Sequence, residues 1–594
     1  MDPRETYRSR LERFDREQQT ANQTFRQLGN ARLLVGIAGA LIASVAFGPG
    51  WISAWWLVAV LAIFVGLAVM HDRVDRRLAA SKRGAAYYQR ALNRLDDKWA
   101  GEGSLGERFR SPDHLFADDL DLFGRASLFN LISVARTSAG ERTLADWLLT
   151  PGVRAEVLER QQAVQELQPR VDLREELALM GGEVQAAADD KVPALWGALP
   201  PVRFFAGAAV IALVLAISAA LTLVLFLGQQ LSARPFLVVV LLEIVFGFIV
   251  REPVRRVMAS ASTPARDLQL LSLLLDRLER EAFSSPALRK LFDRLKTSGQ
   301  SASARIKRLE FLTNQLEAVR NPFLRLVAAP FVWVPQFAMA TEKWRQECGP
   351  HIGDWVAAIG EFEALCSLAC FAYEHPEAVF PELPEAGGPV FEASALKHPL
   401  ISGKEAVAND VMLNSESRLW VVSGSNMSGK STLLRAVGVC TVLAWAGAPV
   451  SASRLRVSRL RLGASLRTVD SLADHRSRFY AEISRLRDVM NLARAGEPVL
   501  FLFDEVLSGT NSHDRRIGAQ ALLSRLVELG AIGLVTTHDL ALAEIAPALN
   551  GLVRNVHFED YLEGGEVRFD YHLRQGVVTR SNALDLMRAV GLEV

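Results

Sequence analysis

Four long apolar runs interrupt a chain whose other segments mix charged and apolar residues. They form two pairs, each joined by a short turn: 33–47 with 51–70, and 204–227 with 235–250. A helix that crosses a bilayer needs about 17–25 residues, so 33–47 and 235–250 need flanking residues to span one. The pattern predicts two transmembrane helical hairpins. For the two shorter runs, burial in a protein core is the alternative interpretation.

Basic residues flank the apolar runs and are nearly missing from the turns between them, where Arg234 alone carries a charge. The flanking basic positions are Arg26, Arg32, Arg73, Arg76, Arg77, Lys82, Arg83, Arg203, Arg251, Arg255 and Arg256. Positive charge favours the cytosolic side of a membrane. We therefore expect a multi-pass protein of the bacterial plasma membrane, with its N-terminus and all segments outside the hairpins in the cytosol.

The remaining sequence changes character once, near residue 386. Before it, apolar residues recur at helical spacing, and after it short apolar strands alternate with helices, which is an α/β pattern. The predicted domains are an N-terminal segment 1–31, hairpin one 32–71, a helical linker 72–117, the first part of a helical core 118–201, hairpin two 202–250, the second part of the core or lever 251–385, and an α/β domain 386–594.

Composition adds only a few constraints on the domain number and the function. The chain has 594 residues, which favours several domains, and its 67 Lys and Arg balance 66 Asp and Glu. That balance gives no support to a strongly basic nucleic-acid-binding surface. The four cysteines show no spacing typical of a zinc site: they are Cys348, Cys366, Cys370 and Cys440. We expect a reducing compartment around the soluble part.

The stretch 419–434, LWVVSGSNMSGKSTLL, combines a buried strand, a glycine-flanked loop and the start of a helix. It fits the P-loop pattern G-x-x-x-x-G-K-[ST], in which backbone N–H groups cradle phosphate oxygens, the lysine contacts the β/γ-phosphates and the hydroxyl ligates Mg²⁺. A chance glycine-rich turn is the alternative. The predicted ATP-binding residues are Gly424, Ser425, Asn426, Met427, Ser428, Gly429, Lys430, Ser431 and Thr432, with Ser431 also on the metal.

Two further strand ends carry polar residues. The apolar segment 498–503 ends in Asp504 and Glu505, a Walker B pattern in which we assign Asp504 to Mg²⁺ and Glu505 to the attacking water. A second apolar segment, 531–535, leads to His538, which is expected to act at the γ-phosphate or the water. Ligands of parallel sheets bind at the carboxyl ends of the strands. The strand ends that carry Lys430, Asp504 with Glu505, and His538 can therefore belong to one site.

Several collinear motifs resemble those of the MutS family of P-loop ATPases. GSNMSGKST at 424–432 is similar to that family's GPNMGGKST, and FDEVLSGTNSHD at 503–514 is similar to its M-D-E-x-G-R-G-T-S-T-x-D. The stretch 470–483 and the block 127–175 resemble the family's signature loop and the start of its core domain. His538 stands where the family has the histidine of A-T-H.

The resemblance implies an α/β P-loop NTPase domain of the ABC/MutS type, ATP and Mg²⁺ as cofactors, and a head-to-head homodimer with composite sites. It implies that Ser477 contacts the γ-phosphate held by the partner subunit. The chain also departs from the family. Nothing before residue 118 resembles a mismatch-reading domain, and Ala406 stands where the family has an aromatic residue that stacks on adenine.

We therefore expect a membrane-anchored, MutS-like ATPase that hydrolyses ATP as a dimer and moves its helical arms. DNA is a further candidate partner. The alternating arginines of 454–461 fit either phosphate contacts or the solvated face of a strand, of which we favour the strand. The alternative functions are an ABC-type transport ATPase, although no LSGGQ-type signature is present, and a membrane scaffold that binds ATP without hydrolysing it.

Overall fold

The computed structural model describes residues 2–184, 191–297, 299–319, 321, 331–425, 427–466, 478–507, 510–538, 551–563 and 566–577. The helices are α1 Pro3–Phe47, α2 Trp56–Leu95, α3 Leu128–Ile132, α4 Ser138–Leu149, α5 Arg154–Leu167, α6 Val171–Val184, α7 Lys191–Ala198, α8 Ala208–Leu227, α9 Ala233–Leu278, α10 Pro286–Arg294, α11 Ala302–Ala318, α12 Trp333–Cys348, α13 Ile352–Glu374, α14 Lys430–Ala446, α15 Arg478–Arg494 and α16 Ser512–Glu528. The strands are β1 Lys296–Thr297, β2 Gln300–Ser301, β3 Phe391–Leu396, β4 Asn409–Leu413, β5 Leu419–Ser423, β6 Arg454–Val457, β7 Arg461–Ser465, β8 Val499–Phe503, β9 Ile532–Thr537, β10 Val553–Glu563 and β11 Glu566–Gln575.

Contacts divide the chain into two units. The first comprises Met1–Glu102 with Val171–Gly182, and the second comprises Gly103–Arg170 with Glu183–Val594. This division differs from the predicted domain boundaries, because most of α6 belongs to the first unit and the rest of the predicted first part of the core, 118–201, belongs to the second. The ranges 1–31 and 32–71 also share helix α1, which runs through their boundary without a break.

In the first unit, α1 and α2 form a long antiparallel hairpin. The side chain of Asp2 caps α1 by accepting a hydrogen bond of 3.1 Å from the N–H of Arg4. The polar ends of both helices bury an aromatic cluster: Tyr7, Phe14, Tyr87 and Tyr88. Glu175 of α6 joins this cluster, since its carboxylate accepts hydrogen bonds from the Tyr88 hydroxyl at 2.5 Å and the Arg10 guanidinium at 2.7 Å.

The apolar parts of both hairpins are exposed. None of the residues in the most apolar windows of α1 and α2 is buried, and only 11% and 17% are buried in those of α8 and α9. A fifth segment of sufficient length and hydropathy, Trp333–Glu374, is 83% buried. By length and composition all five could cross a membrane. Burial distinguishes the fifth, which belongs to the helical core of the second unit.

Helix α9 continues from the apolar run into the helical core without interruption, although Pro264 lies inside it. Proline inside a helix removes one hydrogen bond and crowds the preceding turn. Packing compensates here, because Pro264 is itself buried and the buried face extends from Val254 to Leu278. The leucines of that face are buried: Leu268, Leu271, Leu274, Leu275 and Leu278.

The C-terminal α/β domain is built on a six-stranded sheet of order β11-β10-β5-β9-β8-β7. All neighbouring pairs are parallel except β10 with β11. Strands β5, β8 and β9 are fully buried, as their apolar runs predicted. A separate three-stranded antiparallel sheet has the order β4-β3-β6. Its strands β3 and β4 precede the P-loop helix α14 in sequence, and β6 follows it. The prediction of a helical N-terminal region followed by an α/β domain is confirmed.

The alternating arginines 454–461 pair largely with carboxylates. Arg454 contacts Glu382 at 3.1 Å, Arg456 contacts Glu392 at 3.2 Å and Arg461 contacts Glu497 at 2.9 Å. These ion pairs favour the interpretation of the segment as a solvated strand face.

Candidate nucleotide-binding site

The loop between β5 and α14 requires glycine at its two ends. Gly424 has φ +147° and Gly429 has φ +104°, both in the region that side chains disfavour. A Cβ atom at Gly424 would also lie 3.0 Å from the carbonyl oxygen of Phe558. Met427 adopts φ +67° and is 83% exposed at the loop tip. Asn426, predicted to contact ATP, lies outside the described residues.

Lys430 begins α14 and is buried against the loop. Its Nζ donates hydrogen bonds to the carbonyl oxygens of Gly424 at 2.9 Å and Ser425 at 2.8 Å. Burial lowers the pKa of Lys430, while the carboxylates of Glu505 and Asp504 act in the opposite direction. The two hydrogen bonds hold the ammonium group close to the loop. A phosphate bound there would compensate its charge.

Asp504, at the end of β8, accepts hydrogen bonds from two hydroxyl groups, one on helix α14 and one on strand β9. Ser431 Oγ donates to one carboxylate oxygen at 2.5 Å, and Thr536 Oγ1 of β9 donates to the other. Thr536 also accepts a hydrogen bond of 3.0 Å from the backbone N–H of Glu505. Sequence reasoning missed Thr536; its place directly after the apolar run 531–535 was the available signal.

Glu505 and His538 lie side by side at the same edge of the sheet. His538 Nε2 is 2.7 Å from Glu505 Oε1, and Lys430 Nζ is 3.4 Å from His538 Nε2. Glu505 has φ +51°, an unfavourable conformation for a residue with a side chain, which is typical of functional sites. The parallel pairing of β5, β9 and β8 brings together the three strand ends, as predicted from their sequence positions.

A cavity of about 500 Å³ opens in front of the loop. Its walls include residues 427–433 and Glu505, together with Ala406, His398, Asn409 and Tyr571, of which the sequence did not indicate Tyr571. Cavities of this size hold small-molecule ligands and cofactors. Burial lowers the pKa of His398 to about 4, so its imidazole is neutral at pH 7.

Tyr571 reaches the cavity from β11, the strand that returns antiparallel to β10. Asn409 fixes the backbone there, since its Nδ2 donates to the carbonyl oxygen of Tyr571 at 3.0 Å and its Oδ1 accepts from the N–H of Leu573 at 2.7 Å. A Cβ atom at Gly429 would lie 3.2 Å from the Tyr571 ring. The aromatic side chain therefore lies directly beside the P-loop.

Ser477, predicted to act on the partner subunit, lies outside the described residues. The described residues on either side of that gap are tied to the segment 118–121. Asp119, 1% exposed, accepts hydrogen bonds from the N–H of Leu466 at 3.0 Å and from Arg485 of α15 at 2.5 Å. Asp121 pairs with Arg435 of the P-loop helix at 3.1 Å. The segment thus connects the edge strand β7, α15 and α14.

Comparisons with known proteins find similar sequences over part of the chain. Residues 420–593 match the family MutS domain V. The chain is 34% identical over 243 residues to "DNA mismatch repair protein MutS 2" of Halobacterium salinarum, covering 40% of this chain and 27% of the relative. It is 33% identical over 256 residues to "Endonuclease MutS2" of Thermomicrobium roseum, covering 40% and 31%.

A third relative is "DNA mismatch repair protein MutS" of Aquifex pyrophilus, 33% identical over 249 residues, with coverage of 41% of this chain and 28% of the relative. The chain thus matches less than a third of the length of each of these curated relatives. Residues 420–593 are thus similar to MutS domain V, and about two fifths of the chain is similar to relatives named MutS and MutS2.

Proposed function

We propose that this protein is a membrane-anchored, MutS-like ATPase that cleaves ATP to ADP and phosphate and works as a dimer. The observation that carries the proposal is the convergence of Lys430, Ser431, Asp504, Glu505 and His538 at one edge of the sheet, beside a cavity of about 500 Å³. MutS-family proteins are ATPases, which agrees with that chemistry.

The residues around Asp504 fit Mg²⁺ bound together with a nucleotide. Among the described residues no group of three or more His, Cys, Asp or Glu side chains could hold a metal ion by itself. Mg²⁺ in phosphate sites commonly uses one or two protein oxygens and completes its shell with water and phosphate. Ser431 Oγ and Asp504, 2.5 Å apart, would supply those oxygens, and the ion would neutralise charge on the β- and γ-phosphates.

Glu505 is placed to accept the proton of the attacking water. The water oxygen forms a bond to the γ-phosphorus, the bond from that phosphorus to the β–γ bridging oxygen breaks, and ADP carries away the electron pair. His538, 2.7 Å from the Glu505 carboxylate, orients that group and contacts the water or the γ-phosphate. Lys430 holds the phosphates by charge and hydrogen bonding.

Tyr571 is the side chain best placed to stack on the adenine base. Ala406 offers no ring, but it lines the same cavity as Tyr571, and the tyrosine lies beside Gly429. The aromatic contact that the sequence lacks at 406 is therefore supplied, in our proposal, from β11. Asn409 acts as a positioning residue because it fixes the strand backbone at Tyr571 and Leu573.

Two parts of the proposal rest on other observations. The dimer and the role of Ser477 rest on the family resemblance. Membrane anchoring rests on the exposure of the apolar windows in α1, α2, α8 and α9, because apolar surface of that extent is unfavourable in water. Duplex DNA remains a candidate partner through the names of the relatives, and the paired arginines of 454–461 are not its binding surface in this proposal.

The decisive experiment measures phosphate release by the full-length protein purified in detergent, with Mg²⁺ and ATP, over a range of protein concentrations. We expect turnover that rises more than in proportion to protein concentration, because the active site is shared. Turnover independent of self-association would contradict the dimer. ATP binding without turnover would favour the scaffold, and ATP-dependent flux in proteoliposomes would favour the transporter.

A further inference from the structure

A second cavity lies in the first unit, on the hairpin of α1 and α2. Its volume is about 580 Å³, and its walls include Gly29, Arg32, Gly36 and Ala40 of α1 with Phe64 and His71 of α2. The α1 residues recur at spacings of three, four and seven, so they share one helix face. The cavity is therefore a groove along α1 that α2 closes on one side.

The depth of the groove comes from missing side chains. A Cβ atom at Gly36 would meet nothing within 4 Å, and one at Gly29 would meet only His71 Cε1 at 3.8 Å. The glycines are therefore not required for close packing of the two helices. Leu33 and Ile37, 64% and 51% exposed, border the groove with apolar surface.

Two basic side chains lie at one end of the groove, each held by an aromatic ring. The Arg32 guanidinium carbon is 5.3 Å from the centre of the Phe64 ring, and the His71 ring centre is 4.2 Å from that of Phe25. Within the described part of the chain, Arg32 Nε and His71 Nδ1 are buried without a hydrogen-bond partner. Nearby Arg76, by contrast, pairs with Asp72 at 2.8 Å.

The sequence places this basic end at the border of the apolar runs. Arg32 immediately precedes the run 33–47, and His71 immediately follows the run 51–70. If the hairpin is inserted as proposed above, both side chains lie at the level of the phosphate groups of the inner leaflet, and the groove beyond them lies among acyl chains.

We propose that this groove binds an anionic phospholipid, with its phosphate beside Arg32 and His71 and one acyl chain along Gly36 and Ala40. The inference rests on the proposed membrane anchoring. The other occupant that such a face could take is the same face of a second copy, since small residues promote helix contact in membranes. Arg32 disfavours that arrangement, because symmetric contact would bring two like charges close together.

The test reconstitutes the full chain in vesicles of phosphatidylcholine and phosphatidylglycerol, extracts it in mild detergent, and measures both lipids retained per protein by native mass spectrometry. Wild type should retain phosphatidylglycerol preferentially. Arg32→Gln should reduce that preference about fivefold, while Arg73→Gln, an exposed basic residue at the same border that does not line the groove, should not.

Gly36→Leu should expel both lipids by filling the groove. Gly66→Leu is its matched control, since a Cβ at Gly66 also meets nothing within 4 Å but Gly66 does not line the groove. Millimolar free phosphate should not displace the lipid; equal displacement would indicate a soluble phosphate site instead. Loss of the dimer in Gly36→Leu without loss of lipid would assign the groove to a second copy.

Membrane insertion is scored separately, by flotation of the same samples with vesicles after alkaline washing. Protein that fails to float removes the anchoring proposal and the lipid site together. Protein that floats but retains the two lipids in the ratio of the vesicles overturns the lipid site alone. The ATPase rate of each variant, measured in the same detergent, shows whether the fold is retained.

Discussion

His538 Nε2 lies 2.7 Å from Glu505 Oε1, so the imidazole contacts the carboxylate assigned to water activation. Both side chains are partly exposed, at 38% and 45%, and Glu505 also lines the cavity. A water bound there can contact either group, and the two residues form one hydrogen-bonded unit. Their effects on turnover should therefore not add when both are changed.

Glu505→Gln should lower kcat by about 10²–10⁴-fold while ATP still binds, because the amide keeps the shape of the side chain but cannot accept the proton. Turnover is measured by phosphate release and binding by equilibrium dialysis. Glu497→Gln, whose carboxylate pairs with Arg461 on the far end of the strands, is the control and should turn over normally. Unchanged kcat in Glu505→Gln would remove Glu505 from the mechanism.

Thr536→Val should raise the Mg²⁺ concentration needed for half-maximal ATPase rate by about 10–100-fold. The substitution removes the hydroxyl that donates to Asp504 and accepts from the N–H of Glu505. Thr536→Ser keeps a hydroxyl and should restore the wild-type value. The measurement is the Mg²⁺ concentration that gives half-maximal ATPase rate. Equal defects in the valine and serine variants would indicate a packing role instead.

Tyr571→Ala should raise the KM for ATP by about 5–30-fold, because one base–aromatic stack contributes about 1–2 kcal/mol. Tyr571→Phe keeps the ring and should behave as wild type. Tyr561→Ala removes another exposed tyrosine of the same hairpin, outside the cavity, and is the control. A KM for ATP that stays constant across the three variants would place the base elsewhere.

The buried imidazole of His398 should make the protein less stable in mild acid. Its pKa falls from 6.5 in the unfolded chain to about 4 in the fold, so the unfolded chain binds more protons between these values. Stability is therefore full above pH 6.5 and decreases as the pH falls through that window, by about 3 kcal/mol in total. The Tm of His398→Gln should depend less on pH than that of wild type or of the exposed control His513→Gln.

Asp119→Ala should lower the free energy of unfolding by about 3 kcal/mol, because it leaves Arg485 and the N–H of Leu466 without their buried acceptor. Asp118→Ala removes the more exposed neighbour, paired with Arg110 at 2.7 Å, and should cost under about 1 kcal/mol. Both are measured as shifts in thermal unfolding of the second unit. Equal shifts would mean that segment 118–121 has no special connecting role.

Features that depend on local pattern could be predicted from the sequence alone. Hydropathy located the exposed apolar helices, and the strand–loop–helix pattern around Lys430 located the P-loop, because those signals lie within a few consecutive residues. The polar residues after two apolar strands located Asp504, Glu505 and His538, since parallel strands end at a common edge.

Features that depend on residues far apart in the chain could not be predicted in this way and became visible in the folded protein. Tyr571 reaches the P-loop because β11 folds back beside β10, and Asp119 reaches α15 across 366 positions. The packing of α9 carries a helix through Pro264, which local propensity alone disfavours. Burial, likewise, separates the apolar helices of the hairpins from the equally long apolar segment Trp333–Glu374, because exposure is set by neighbouring elements and not by composition.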